Sequence, residues 1–263
     1  EVAKGWKEMV HRYAASTLGL VILILFVMVL RGKPKYYQSM ALPSFTALFV
    51  MLQGAFGMWT VTLLVHPGIV TTHLAGGFIT TVLLAWLLLN QDRPLITYHH
   101  ILKRHKLLLL VTLAVLSLQI ILGGWTSTNY AALSCGEEFP TCLGAWWPTM
   151  DFVQALYWGP LGVDYEYGVL ENQARAGIQM MHRIGALITT ILIIALIYLL
   201  KGYTHLKSNL LLTGGLLVVQ VTLGVLNVLL SIPMVVAVLH NAVALLLLLS
   251  VVALIHKVFK API

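Results

Sequence analysis

Four histidines stand inside apolar runs: His11, His73, His182 and His240. An imidazole in hydrocarbon is costly and needs a partner. These four fall into two matched couples. Glu8-Met9-Val10-His11-Arg12 opens one run and Gln179-Met180-Met181-His182-Arg183 opens another. Each is followed two runs later by a second histidine, 62 residues on at His73 and 58 residues on at His240. Two couples ask for two bound objects. Zinc would want further ligands close by and an open or sulfur-rich site, whereas paired imidazoles suit the two faces of a planar iron macrocycle. The reading is two haems, each gripped between two imidazoles.

The couples differ in one neighbour. Glu8 lies three residues before His11, on the same helix face, where Gln179 precedes His182. A carboxylate takes or gives a proton and an amide does not, so a haem that is worked upon belongs with His11 and His73. The plainer role for Glu8 is a helix-start carboxylate favoured by the dipole. Arg12 and Arg183 directly follow a candidate ligand and suit haem propionates, or the membrane interface alone. His66, before Pro67, is a neighbour of the pocket; His99, His100, His105, His205 and His256 read as solvated or headgroup-facing. Glutamine and glycine recur four apart at Gln53/Gly57, Gln119/Gly123 and Gln220/Gly224. The first and third precede His73 and His240 by the same 20 residues. They mark the register of a duplication, with ordinary small-residue helix packing as their simplest role.

These residues need elements to position them. The chain of 263 residues is 59% hydrophobic and 10% charged, with mean hydropathy +0.91, where a soluble domain carries roughly 25% charged residues. It is a polytopic membrane protein. Seven runs, at 11–30, 43–65, 70–89, 107–124, 177–200, 209–231 and 234–255, have about the length a spanning helix needs. A barrel's alternating pattern is absent. The expected fold is all-α, with two duplicated four-helix-bundle halves over 1–106 and 107–263.

Arg31, Lys33, Lys35, Arg93, Lys103, Arg104, Lys106, Lys201, Lys207, Lys257 and Lys260 follow alternate runs and make up 11 of the 16 basic residues. Eight of nine acidic residues lie on the other side, Asp92 being the exception. Basic loops stay cytoplasmic, so the net charge of +7 reflects topology rather than nucleic-acid binding. The four histidines then share one depth near the outer face. An outside start with seven spans predicts a further helix upstream of residue 1, since the second half has a leading helix, 107–124, and the first has none. The long outer loop, 125–176, carries Cys135 and Cys142, the only cysteines. An oxidising compartment favours their disulfide, as a staple or in a redox or haem-handling role. Trp146, Trp147, Tyr157, Trp158, Tyr165 and Tyr167 suit a loop lying on the interface or lidding a pocket.

Glu-x-x-His-Arg at 8–12, His73, the copy at His182-Arg183, His240 and the paired outer cysteines together resemble haem A synthase, over essentially the whole chain. That family has eight helices in two halves and usually a leading helix and outer loop before the point where this sequence starts. The resemblance implies oxidation of the C8 methyl group of haem O to a formyl group, giving haem A for terminal oxidases. It implies a resident haem b on His182 and His240, substrate haem on His11 and His73, and a chemical requirement for Glu8. The inserted oxygen would come from water, and electrons would leave through haem b to an external acceptor. Haem O synthase and cytochrome oxidase assembly factors are the implied partners, beside membrane lipid, with self-association left open. The bacterial cytoplasmic membrane is the expected location, the mitochondrial inner membrane the alternative. The rival readings are a bis-histidine cytochrome b that relays electrons, which leaves the Glu8/Gln179 difference unexplained, and a transporter with duplicated halves.

Overall fold

Seven apolar runs become seven long helices, because the backbone has no polar partner but itself inside hydrocarbon. A computed structural model of the chain describes residues 2–32, 40–91 and 103–259. Helix α1 spans Val2–Arg31, α2 Ala41–Thr62, α3 Pro67–Leu89 and α4 Lys103–Thr128. The short α5 (Phe152–Ala155) sits in the long loop, followed by α6 (Asn172–Leu200), α7 (Lys207–Leu229) and α8 (Met234–Phe259). All seven long helices are apolar and long enough to cross a membrane. Among the described residues there is no strand, only an isolated bridge between Cys142 and Ala145. Lys33, Lys35, Asp92, Arg93, His99, His100 and Lys260 lie outside the described residues.

Helices outrun the apolar stretches that announce them. Helix α4 continues through Thr128 and α6 starts at Asn172, so the irregular loop is shorter than 125–176. Polar residues end an apolar count but not a helix, whose backbone bonds continue into the interface.

Two groups of helices pack alike. Helix α2 packs on α1 and α3 as α7 packs on α6 and α8, while α4 packs against α6, α8 and α3. The turn between the paired helices is the same in both copies. The turn after α2 holds Leu64 and Val65 and the turn after α7 holds Ser231 and Ile232, all with φ between 52° and 57°. Val65 N donates to Thr60 O at 3.0 Å and Ile232 N to Asn227 O at 2.8 Å. Left-handed backbone costs about 1–2 kcal/mol at a residue with a side chain, so a tight reversal is maintained twice at equivalent places. Pro67 then opens α3, where its missing N–H costs nothing.

The main core, with Leu109, Ile193, Leu196, Leu247, Val251 and Leu254, lies where α4, α6 and α8 meet at the end away from the histidines. Phe78, Val82 and Trp86 of α3 join it. Helix α1, almost wholly exposed, presents its apolar side chains as a lipid-facing helix does. The long loop closes the other end. Tyr165 N donates to Leu64 O at 3.2 Å, and Ser231 Oγ bonds Glu137, so one loop holds both reversals.

Candidate functional site

On α1 and α3, His11 and His73 face one another near the loop-bearing end. Their ring centroids are 6.3 Å apart and their planes close to perpendicular, at 77°. Two imidazoles on opposite sides of one metal, each bonded at about 2 Å, put their centroids roughly 6 Å apart. The separation matches that arrangement. His11 is exposed and His73 half-buried, and the buried Nδ1 of His73 has no hydrogen-bond partner.

His182 lies on α6 and His240 on α8, helices that both pack against α4 and α7. His240 Nδ1 is likewise buried without a partner. Among the described residues no three His, Cys, Asp or Glu side chains gather as a naked metal ion would require. The histidines occur in twos.

Each Gln-x-x-x-Gly pair lies against one of these histidines. A Cβ on Gly57 would stand 3.0 Å from His73 Cε1, one on Gly123 3.2 Å from His182 Cε1, and one on Gly224 3.1 Å from His240 Cε1. The glycines are shelves for imidazole rings. Gln53 Nε2 donates to His73 O at 2.5 Å. Gln119 Nε2 donates to His182 O at 2.9 Å and lies 3.0 Å from His182 Nδ1. Gln220 Nε2 lies 3.3 Å from His240 Nε2. Packing of small residues alone does not account for these bonds.

The two differing neighbours are also placed differently. Glu8 is exposed and ion-paired with Arg12. Gln179 is buried, its Oε1 without a partner. Arg183 turns to the disulfide hairpin: Nη1 donates to Thr141 O at 2.8 Å and to Pro140 O at 3.2 Å. Its Nη2 donates to Glu138 O at 2.9 Å, and the guanidinium lies over Phe139, 5.7 Å from the ring centre. Both arginines are thus engaged by the protein itself. Cys135 and Cys142 form the expected disulfide, with Cα atoms 4.5 Å apart.

A model of the COX15-CtaA family, described as cytochrome oxidase assembly protein, matches residues 1–252. The chain belongs to this family. It is 42% identical to the Heme A synthase of Shewanella oneidensis over 260 residues, 97% of this chain and 76% of that protein. The Heme A synthase of Halalkalibacterium halodurans is 27% identical over 209 residues, 76% of this chain and 61% of that protein. For the Heme A synthase of Flavobacterium psychrophilum the figures are 26% over 262 residues, 96% and 74%.

For this COX15-CtaA member, three histidines need correcting or completing. His66 is wholly buried. Its Nδ1 accepts from Gly68 N at 3.2 Å and its Nε2 lies 3.3 Å from Gly159 O. It packs on Tyr165 and Trp158, at 4.9 and 5.5 Å between ring centres, so it anchors the loop onto the first reversal. His105 and His256 are not solvated but buried. His256 Nε2 meets Asn90 Oδ1 at 3.1 Å and His105 Nδ1 meets Tyr203 Oη at 3.4 Å; partners just past the ends of α3 and α6 replace water.

The hairpin invites a stability test. Closing eight residues with a disulfide contributes about 2–3 kcal/mol in the chain-entropy picture, and the charged bonds of Arg183 about 2–3 kcal/mol together. Both act on one hairpin, so they couple. Cys142→Ser and Arg183→Leu should each lower the thermal midpoint, and the double variant should lose less than the sum. Fully additive losses would show that the two ties are independent.

Proposed function

We propose that the chain is a haem A synthase that oxidises the C8 methyl group of haem O to a formyl group. The observation that carries this is the His11–His73 pair, its rings 6.3 Å apart and Glu8 on the same helix face, in a COX15-CtaA chain with Heme A synthases among its relatives. In this reading His11 and His73 hold the substrate haem. His182 and His240 would hold haem b, whose bound iron supplies one-electron relay. The second site suits such a group: Gly123 and Gly224 let both rings lie close against neighbouring helices, and the buried Nδ1 of His240 lacks a protein partner.

Methyl to formyl with water as the oxygen source releases four electrons and four protons. Helix α1 supplies the group that can handle them. Glu8, one turn from His11, takes protons from water or an alcohol and offsets positive charge developing at the methyl carbon. Arg12 holds the carboxylate in place through their ion pair. A haem held by His182 and His240 would pass the electrons on to an external acceptor. The loop 129–171 is tied to both reversals at this end of the bundle.

The topology of the proposal rests on charge. Arg31, Lys106, Lys201, Lys207 and Lys257 stand at helix ends opposite the histidines, and basic ends stay in the cytoplasm. The loop-bearing end therefore faces outward, in the cytoplasmic membrane of a bacterium such as those of its relatives. Haem O synthase would supply the substrate, and cytochrome oxidase assembly would consume the product.

Purified protein given haem O and an electron acceptor should yield a haem that has gained one oxygen and lost two hydrogens, read by mass spectrometry. A haem-loaded protein that reduces an acceptor yet leaves haem O unchanged would instead make it an electron relay.

A further inference from the structure

Two of the three glutamines hold their histidine by the backbone and the third does not. Gln53 and Gln119 donate to the carbonyls of His73 and His182, whereas Gln220 is bonded to the ring of His240. The residue three places beyond each histidine explains the difference: Gly76, Gly185 and Val243. A helical carbonyl points toward the residues three and four further on, so the side chain at the third guards it. A Cβ on Gly76 would lie 2.0 Å from Gln53 Oε1, and one on Gly185 2.1 Å from Gln119 Oε1. Where valine stands, the amide is kept from the carbonyl and meets the ring.

We propose that Gln53 and Gln119 are positioning residues, admitted by Gly76 and Gly185, which fix the direction in which His73 and His182 present their rings. Among the described residues His73 and His182 are pinned through their backbone, and His240 is met at its ring. In the second site Gln119 Nε2 also lies 3.0 Å from Nδ1 of His182. A glutamine amide inside the bilayer needs such partners, and the glycine shelf one turn along the same helix holds the ring's edge. Partners that orient a ligand from outside the metal's own shell change metal affinity on the order of 10–100-fold. The proposal rests on His182 and His240 holding haem.

The test uses the full chain, purified with its haem, and two variants that break the pin differently. Gly185→Ala displaces only the tip of a flexible side chain, and Gln119→Leu removes the amide. Each should lose haem to excess apomyoglobin on the order of tenfold faster than the parent. Each should also shift the low-spin electron paramagnetic resonance g values in the same direction, and the double variant should be no worse than either. Gly215→Ala, where an added Cβ meets nothing, should match the parent. Variants with the parent's haem loss and g values, even if they melt lower, would overturn the positioning role and leave the proposed function standing. A parent that purifies without haem would overturn both.

Discussion

Glu8→Gln should slow conversion of haem O by about 10²–10⁴-fold, the usual worth of a positioned acid or base, with haem content and thermal midpoint near the parent's. That loss corresponds to about 3–5 kcal/mol in the barrier. The variant is mild in every respect but charge, because Gln179 already occupies the equivalent place before His182. Glu8 is exposed and its one ion pair, with Arg12, lies along the helix surface, where such pairs contribute about 0–1 kcal/mol. A large loss of turnover with an unchanged fold would thus report chemistry. Product appearance by mass spectrometry, beside a haem spectrum of the same sample, makes the measurement. Turnover within about threefold of the parent would return Glu8 to a helix-start carboxylate with no part in the reaction.

The helices and the approach of His11 to His73 were legible because both rest on local or periodic facts. An apolar run of spanning length has one solution in lipid, and His11, His73, His182 and His240 stand at repeat-related distances along it. Glutamine and glycine at fixed spacing were legible in the chain, but not what those residues touch. That depends on which helix faces meet, and Gly76 and Gly185 acquire meaning only once Gln53 and Gln119 are seen approaching the carbonyls. Arg183 shows the same limit at longer range. Its partners Glu138, Pro140 and Thr141 are more than 40 residues earlier, brought back by a loop whose path no periodicity encodes. His105 and His256 were misread because nearby lysines suggest water, while Tyr203 and Asn90 reach them from just past the ends of α6 and α3. His66 looked like a pocket neighbour. It proves to be the point at which the loop grips the first half.

Replacing the histidines singly should separate the two sites. His182→Ala or His240→Ala should strip the resident haem from the purified protein and end turnover. His11→Ala or His73→Ala should end turnover while leaving the resident haem's absorption bands intact. Losing a residue that merely orients a ligand costs on the order of 10–100-fold in affinity, so losing a ligand itself should fall at or above the upper end. The effects should stay within their halves, because each couple is carried by its own helices, α1 with α3 and α6 with α8. A hydrogen bond between halves, where Thr71 of α3 meets Thr128 of α4 at 3.1 Å, involves none of the four. Reduced-minus-oxidised spectra with quantification of extracted haem read the resident group, and mass spectrometry reads the product. Four variants losing the same bands to the same degree would mean one shared haem, and the division of labour between the halves would fall. Four variants keeping all bands would remove the imidazoles from haem ligation altogether, and the 6.3 Å spacing of His11 and His73 would be packing alone.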